Sequence, residues 1–387
     1  MAKISALTVY EVVVPARLGA TNSPELGSYL SNEWDLMPIC LIEAEMSDGI
    51  VALGEVGRGL SLSSLDPWLS EMVGLEFSGR AIVNLPERWQ PISFHGGALE
   101  EAHPPAKFSS PSPLGVALEM IQMDWLGKQL DCRVVDLLGG AYREEVLVDY
   151  WCGRKTPEDL RSTVSKAREL GFNGIKMKSR HGDPVLAQVK AIKEAGGSDF
   201  GITIDPMYQW FSPLEAMSLM RSLEPYQENL RIEDPFPEDR PEFWRRLRQV
   251  SSIPLIWHAR GATSLRRALQ EGVADGYNAS GGFTDFQTQT HAIEVAGYSC
   301  WRGSALELGV AQAAGLQAAA AARCCVMASD FQSALIRQHT LTTWDWKYRE
   351  GKLALPTAPG IGVELDKDAI ATYQTGFQRY RGGISWH

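Results

Sequence analysis

The 387-residue sequence predicts an α/β protein: a (β/α)8 barrel preceded by a smaller N-terminal domain of strands and helices. From about residue 145, short apolar runs alternate with amphipathic segments through close to eight repeats, which favours a barrel of parallel strands. The first 60 residues instead contain strand-like runs rich in β-branched residues. No Gly-x-Gly-x-x-Gly motif follows a strand, which weighs against a dinucleotide-binding sheet.

The N-terminal strands are predicted at residues 4–14, 39–46 and 50–56, where the simplest arrangement is a three-stranded meander. The intervening segment 15–36 is polar and rich in glycine, serine and asparagine. Loops of this length in compact domains are usually functional, so we interpret it as a lid. Apolar spacing through residues 114–130 predicts a helix, with Pro113 at its start. We expect the first domain to span residues 1–140.

The barrel is predicted over residues 141–350. Its expected strands are residues 146–150, 174–177, 201–204, 230–232, 254–257, 276–278, 298–301 and 324–327. The expected helices are residues 157–170, 183–195, 212–223, 241–250, 265–271, 286–296 and 309–321.

Composition excludes several classes of function. The chain has 37 Lys+Arg against 47 Asp+Glu and a net charge of −10, which argues against nucleic-acid binding. It has no 18-residue apolar run and no signal-peptide pattern, so we expect a cytoplasmic protein without membrane partners. The six cysteines are scattered without a CxxC pair, which indicates buried thiols and neither a zinc site nor a disulfide framework.

Two lysines stand at the end of the second predicted barrel strand. In a barrel, polar residues at the C-terminal ends of strands face the catalytic mouth. Lys176 and Lys178 are two residues apart, so on a strand their side chains share a face, with Cα atoms roughly 7 Å apart. Mutual repulsion and desolvation disfavour the charged form of such amines, which is how a lysine becomes a general base. The alternative is a pair of surface lysines.

The next two strands end in carboxylates. Asp205 ends the third strand, and Glu233 and Asp234 end the fourth. Oxygen ligands from neighbouring strand ends suit Mg²⁺. Capping of a following helix is an alternative for Asp205 and Asp234, and a weak one for Glu233. We therefore predict that Asp205 and Glu233 bind a metal.

With these residues in place, the chain resembles the enolase superfamily, in the branch of mandelate racemase and muconate lactonizing enzyme. The resemblance covers nearly the whole length, and its specificity lies in the order and spacing of several pieces. These are residues 42–49 with Gly54-Glu55, 123–128 running into 137–140, Lys176-x-Lys178, Asp205, 233–235, Gly281-Gly282 and 359–366.

The resemblance implies a modified (β/α)8 barrel with an N-terminal α+β capping domain, which a C-terminal tail over residues 351–387 completes. It also implies abstraction of a proton α to a carboxylate, with a divalent metal holding the enolate. Lys178 matches the family's usual base, Lys176 its partner, and Asp205 and Glu233 two metal ligands. Residues 15–36 and 57–65 would form the lid. Assembly as a homo-oligomer is expected from the resemblance alone.

The sequence departs from the family pattern at the fifth strand, where relatives supply a third oxygen ligand. Residues 253–260 contain no carboxylate there. His258 would ligate through nitrogen, which suits zinc or iron-group ions better than Mg²⁺. Alternatively, Arg260 would supply a fixed positive charge in a metal-independent enzyme. Met207 stands where relatives often have asparagine.

The sixth and seventh strands carry no evident second base, whereas racemisation needs groups on both faces of the α-carbon. We therefore predict a one-base dehydration, a syn elimination from a sugar-derived or other polar hydroxy acid. The alternatives are a cycloisomerase or racemase that uses His258 as second acid, and a non-catalytic family member. The predicted substrate-binding residues are Arg302, Arg260, Tyr208, Asn278 and Trp301; either arginine would clamp a carboxylate.

Overall fold

The computed structural model describes residues 1–17, 22–26, 34–79, 81–82, 113–210 and 212–382. In these ranges the chain forms an antiparallel N-terminal sheet and a parallel barrel-like sheet. None of the helices in the described ranges has the length and apolar character needed to cross a membrane. The predicted lid segment 15–36 lies partly outside them, at residues 18–21 and 27–33.

The N-terminal sheet has six strands. They are β1 (Ala2–Val12), β2 (Ile39–Met46), β3 (Val51–Val56), β4 (Glu76–Ser78), β5 (Ala81–Ile82) and β16 (Gln374–Arg381). The order is β3-β2-β1-β4-β5, and β16 pairs antiparallel with β1. The predicted meander is therefore present, and the C-terminal segment completes the sheet. The divisions expected at residues 140 and 350 stay a prediction.

One helix packs between this sheet and the barrel. The helix α2 (Pro113–Gln129) follows α1 (Leu62–Met72) and precedes the short α3 (Val134–Leu137). Its buried Asp124 accepts hydrogen bonds from the Leu53 and Ile361 backbone N–H groups, at 2.8 and 2.7 Å. One carboxylate thus ties together β3, α2 and the C-terminal segment.

Seven parallel strands form the barrel in the order β13-β12-β11-β10-β9-β8-β7. They are β7 (Tyr150–Cys152), β8 (Gly174–Lys178), β9 (Gly201–Asp205), β10 (Leu230–Glu233), β11 (Leu255–Ala259), β12 (Gly276–Ala279) and β13 (Cys300–Arg302). The helices between them are α4 (Pro157–Glu169), α5 (Val185–Gly196), α6 (Pro213–Leu223), α7 (Pro241–Arg248), α8 (Ala262–Glu271) and α9 (Phe283–Val295).

An irregular eighth segment closes the sheet at residues 324–330. There the Ser329 N–H donates to the Leu147 carbonyl at 2.7 Å, and the Asp330 N–H donates to the Arg302 carbonyl at 2.9 Å. The segment follows α10 (Gly309–Ala320) and forms isolated bridges to Cys300 and Val148. The barrel prediction is confirmed, although the eighth strand is bridged on both sides without forming a regular ladder.

The first barrel strand lies later in the sequence than predicted. Residues 146–150 were expected, but the strand is Tyr150–Cys152. Residues Glu145–Leu147 form β6, which pairs antiparallel with β15 (Lys352–Ala354) and, beyond it, β14 (Tyr348–Arg349). The partner of β6 lies about 200 residues away in sequence, so local patterning could not reveal this pairing. The short α11 (Ser333–Ile336) and α12 (Lys367–Tyr373) complete the described helices.

Candidate active site

The carboxyl ends of the barrel strands bring the predicted side chains around one cavity of about 240 Å³. Lys176 and Lys178 come from β8, Asp205 from β9, Glu233 from β10 and His258 from β11. Further residues of the wall are Arg58, Trp151, Met207, Asp234, Arg260, Asn278, Ser304, Ala305, Leu306, Asp330 and Gln332. The register of neighbouring strands places these residues side by side. Lys178 lies opposite Asp205, and His258 lies opposite Asn278.

The two lysines have different environments. The ammonium of Lys176 lies 2.6 Å from Glu233, 2.6 Å from Asp330 and 3.8 Å from Asp205. Desolvation would lower the pKa of Lys176, but these carboxylates outweigh it and the pKa is raised. Lys178 forms an ion pair with Asp205, at 2.5 Å. The repulsion expected between the two lysines is therefore overcome at Lys176, which keeps its positive charge.

The carboxylates of the site are buried and close together. Desolvation raises the pKa of Glu233 to about 8 despite the opposing charge of Lys176, and Asp205 adds to the rise. Desolvation and the charge of Asp205 raise the pKa of Asp234 to about 7. Burial would also raise the pKa of Asp205, but Lys178 and Lys176 lower it overall. Burial and mutual repulsion thus oppose the ionisation of Glu233 and Asp234.

The capping alternative for Asp205 and Asp234 is wrong. The helices that follow begin at Pro213 and Pro241, and their N-cap positions are held by Ser212 and Arg240. Asp205 accepts from the Met207 N–H at 2.9 Å, and Asp234 accepts from the His258 N–H at 3.0 Å. Both carboxylates therefore organise the strand ends at the cavity.

His258 lies between a carboxylate and a hydroxyl. Its Nδ1 atom is 4.0 Å from an oxygen of Asp234, and its Nε2 atom is 3.2 Å from the Ser280 hydroxyl. Desolvation, with the nearby charges of Arg260 and Lys176, lowers the pKa of His258 to about 3, so the imidazole is neutral. A neutral imidazole with its second nitrogen hydrogen-bonded is the form that ligates metals.

The residues present fit a divalent cation. In the described part of the chain, ligand atoms of Glu233, Asp234 and His258 lie within 4.8 Å of one another. Asp205 pairs with Lys178 and lies outside this group, and its predicted role as a ligand stays a prediction. Two carboxylates and an imidazole form a mixed oxygen and nitrogen donor set, which suits Mn²⁺ or Zn²⁺ as well as Mg²⁺.

Two of the five residues predicted to bind substrate line this cavity, and the other three are not among its wall residues. Arg260 and Asn278 line the cavity, and the Asn278 amide donates to Glu233 at 2.5 Å. Tyr208 stacks under the Arg260 guanidinium, 4.6 Å from the ring centroid, beside Asp234. Trp301 is only 1 % exposed, and its ring packs against Lys176 at 5.3 Å. Among the described residues, the cavity wall includes neither Tyr208 nor Trp301 nor Arg302.

Sequence reasoning missed several residues of the wall, among them Asp330, Arg58 and Gln332. Asp330 follows the irregular eighth segment and pairs with Lys176. The rule that strand ends face the mouth would have selected it. Arg58 and Gln332 also line the cavity, and Arg58 donates to the Ala305 carbonyl at 2.9 Å. Arg58 lies in the predicted lid segment 57–65, so that segment does reach the cavity.

The N-terminal lid segment also contacts this region where it is described. Trp34 packs edge-on against Trp151, a residue of the cavity wall, with ring centroids 6.1 Å apart. The buried Arg337 guanidinium lies over the Trp34 ring and donates to the carbonyls of Leu306 and Val14. These contacts join the end of the segment to the loop that carries Leu306 to the cavity.

The family model described as "Enolase C-terminal domain-like" matches residues 159–369, more than half of the chain. The chain belongs to the enolase superfamily. Its relatives place it in the branch of mandelate racemase and muconate lactonizing enzyme, as the sequence predicted.

Three relatives illustrate the range of this branch. The chain is 24% identical over 377 residues to N-succinyl-L-Arg/Lys racemase of Bacillus cereus, covering 95% of this chain and 97% of that one. A crystal structure of that racemase superposes with a TM-score of 0.78 at 22% identity, covering 98% and 100%. D-galactonate dehydratase of Cronobacter sakazakii is 23% identical over 380 residues, covering 89% and 94%. Muconate cycloisomerase of Pseudomonas fluorescens gives a TM-score of 0.76 at 20% identity, covering 97% and 100%.

Proposed function

We propose that this superfamily member is an enzyme that removes the proton α to a carboxylate, after which water leaves from the β-carbon of a polar hydroxy acid. The observation that carries the proposal is the position of Lys178. Its amine lies at the end of the second barrel strand and lines the cavity together with the carboxylates of Asp205, Glu233 and Asp234. A racemase and a dehydratase among the relatives support α-proton chemistry of this kind.

Lys178 is the proposed base, and Lys176 is the proposed fixed charge. Lys176 is enclosed by carboxylates on three sides, so its ammonium does not exchange its proton during the reaction. Its ammonium in the cavity wall offsets part of the negative charge that develops as the neutral amine of Lys178 accepts the α-proton. The side chain of Lys178 is 13% exposed against 5% for Lys176, so Lys178 is the more accessible of the two lysines in the wall.

Glu233, Asp234 and His258 are proposed to hold a divalent cation, and the sequence-based prediction of Mg²⁺ makes that ion the first to test. When bound, such an ion supplies positive charge that polarises the substrate carboxylate and makes the α-proton more acidic. Within the protein, Ser280 orients the imidazole and the Asn278 amide holds Glu233. Arg260, which lies 3.7 Å from Asp234, stands at the entrance for the anionic substrate.

The far wall of the cavity favours chemistry on one face of the α-carbon. In an eight-stranded barrel the sixth strand lies opposite the second, and here it contributes Asn278, whose amide is engaged by Glu233. The loop after the seventh strand adds Ser304, Ala305 and Leu306 to the wall. None of these four is an amine or a carboxylate, and Asp330, further along the chain, is paired with Lys176. The ammonium formed at Lys178 is therefore the proposed acid for the departing hydroxyl, which leaves as water on the same face.

Isomerisation is the second candidate, and one observation favours it. His258 presents an imidazole from the fifth strand to the same cavity, where it would return a proton to the other face of the enolate. The racemase relative matches along 95% of this chain. Racemisation of an acylated amino acid is therefore the alternative to elimination.

The decisive experiment follows the α-proton and the loss of water together. Wild-type protein with Mg²⁺ is incubated in D₂O with galactonate and with an N-succinyl amino acid, and products are followed by NMR. We expect a 2-keto-3-deoxy acid from a hydroxy acid, and a loss of about 10²–10⁴-fold in Lys178→Ala. Lys190→Ala, which removes an exposed lysine on α5, is the matched control and keeps full activity.

Each outcome assigns a function. Deuterium at the α-carbon without loss of water would replace elimination by isomerisation. Equal rates in wild type and Lys178→Ala would remove Lys178 as the base. Absence of exchange with any acid in the panel, at full ligand occupancy, would favour the non-catalytic family member.

A further inference from the structure

A second cavity of about 280 Å³ adjoins the candidate active site. The two cavities share His258, Ser304 and Ala305 as walls, so they lie side by side at these residues. The second cavity lies between the ends of β12 and β13, the helix α10, and residues of β3 and α2. The fold therefore provides space beyond the reacting groups, and the proposed chemistry does not use it.

Most of the wall of this second cavity is apolar and small. One face of α10 contributes Ala311, Ala314, Gly315 and Ala318, which are spaced three or four residues apart. The helix α2 adds Val116 and Met120 from the other side. Small side chains on one face leave a gap that a ligand methylene chain or ring would fill favourably.

One polar group in this apolar wall is arranged to bind a ligand. The Arg302 guanidinium lies over the Phe286 ring at 4.7 Å and donates through Nη2 to the Gly281 carbonyl at 2.6 Å. The Nη1 atom is buried, and no hydrogen-bond partner for it exists among the described residues. An unused buried donor is costly unless a ligand or water accepts from it.

The charges around the cavity decide which kind of ligand group Arg302 binds. Glu55 and Glu307 also line the wall, and both are already engaged. Glu55 accepts from the Leu308 and Ala311 N–H groups at 2.6 and 3.0 Å, and Glu307 accepts from the Ala305 N–H at 2.7 Å. Two carboxylates against one guanidinium disfavour a further anion. An uncharged acceptor such as an amide carbonyl is the better match.

We infer that the second cavity binds the far end of the substrate, as a largely apolar group that carries one uncharged hydrogen-bond acceptor for Arg302. This inference rests on the proposed function, since it places the α-carbon of the substrate at Lys178. It narrows the substrate class to hydroxy acids that carry an apolar extension and a carbonyl beyond the reacting carbons, because a short sugar acid would leave the apolar space empty.

The test measures binding and not turnover, so that it is independent of the proposed reaction. Calorimetry with Mg²⁺ present compares three probes: acetate, hexanoate and 6-acetamidohexanoate. We expect 6-acetamidohexanoate to bind at least tenfold more tightly than hexanoate, and hexanoate more tightly than acetate. Arg302→Met should remove the advantage of the amide probe over hexanoate and leave acetate unchanged.

Filling the cavity supplies the second arm. Ala314→Leu and Ala311→Leu should each weaken both long probes at least fivefold and leave acetate binding unchanged. Ala187→Leu, at an exposed position of α5, is the matched control. Using two filling variants keeps the test valid if one of them fails to fold.

Equal affinities for the three probes, or long-probe binding that survives filling of the cavity, would overturn the inference. The proposed function fails separately, through absence of α-proton exchange in the D₂O experiment. Probe binding that follows Arg302 and Ala314 without any exchange would retain the cavity assignment and reject the chemistry.

Discussion

Replacing Glu119 with glutamine should change how the stability of the protein depends on pH. Glu119 lies on α2 and is 7 % exposed. It accepts hydrogen bonds from the start of α9, at Phe283 and Thr284, but its Oε1 atom is buried without a partner among the described residues. Burial raises the pKa of Glu119 from its ordinary value of 4.5 to about 7, although these hydrogen bonds oppose the rise.

The sign and size of the effect follow from linkage between protonation and folding. A carboxyl whose pKa is raised on folding contributes stability below its unfolded value of 4.5 and loses it as the pH rises to about 7. At about 1.4 kcal/mol per pH unit, the full loss is about 3 kcal/mol. Most of it falls between pH 5 and pH 8. Glutamine does not ionise, so the variant is free of this loss.

The assay is urea unfolding followed by tryptophan fluorescence, at pH 5 and at pH 8. The free energy of unfolding of Glu119→Gln minus that of wild type should rise by about 2–3 kcal/mol between the two pH values. Comparing differences cancels any constant cost of placing an amide at this position. Glu169→Gln, at an exposed position of α4, is the control and should show no rise. An unchanged difference for Glu119→Gln would refute the reasoning.

Two further predictions concern the candidate site. Lys176→Met should lower the free energy of unfolding at pH 7 by about 3–5 kcal/mol, because it leaves Glu233 and Asp330 buried without their cation. Urea unfolding measures this, and a loss below about 1 kcal/mol would contradict it. After EDTA treatment, added Mg²⁺ or Mn²⁺ should raise the unfolding temperature of wild type. The corresponding gain in the free energy of unfolding is about RT ln(1 + [L]/Kd). His258→Ala should reduce that rise, and an equal rise in both proteins would exclude His258 as a ligand.

The barrel could be predicted because its signals are local. Apolar runs of three to five residues marked the strands, and the helix starts predicted at residues 157 and 212 fall at Thr156-Pro157 and Ser212-Pro213. Strand position in turn predicted which polar side chains face the mouth. Lys178, Asp205 and Glu233 were found this way, and they do line one cavity.

Other contacts depended on residues far apart in the chain. The pairing of β6 with β15, and the closure of the barrel through residues 324–330, join segments that share no local pattern. Asp330 was missed because its segment forms isolated bridges, and its role depends on its 2.6 Å contact with Lys176. Arg302 was predicted beside the reacting groups but lines the adjoining cavity instead.

The sequence by itself determined the fold class, the superfamily and the strand-end residues, because periodicity and strand position are properties of neighbouring residues. The tertiary structure alone decided the charge states and pairings. Lys176 keeps its proton because Glu233, Asp330 and Asp205 converge on it from three other strand ends. The second cavity likewise exists only where α10, α2 and the ends of β12 and β13 meet. Electrostatic interaction and packing depend on distance in space, and folding alone sets those distances.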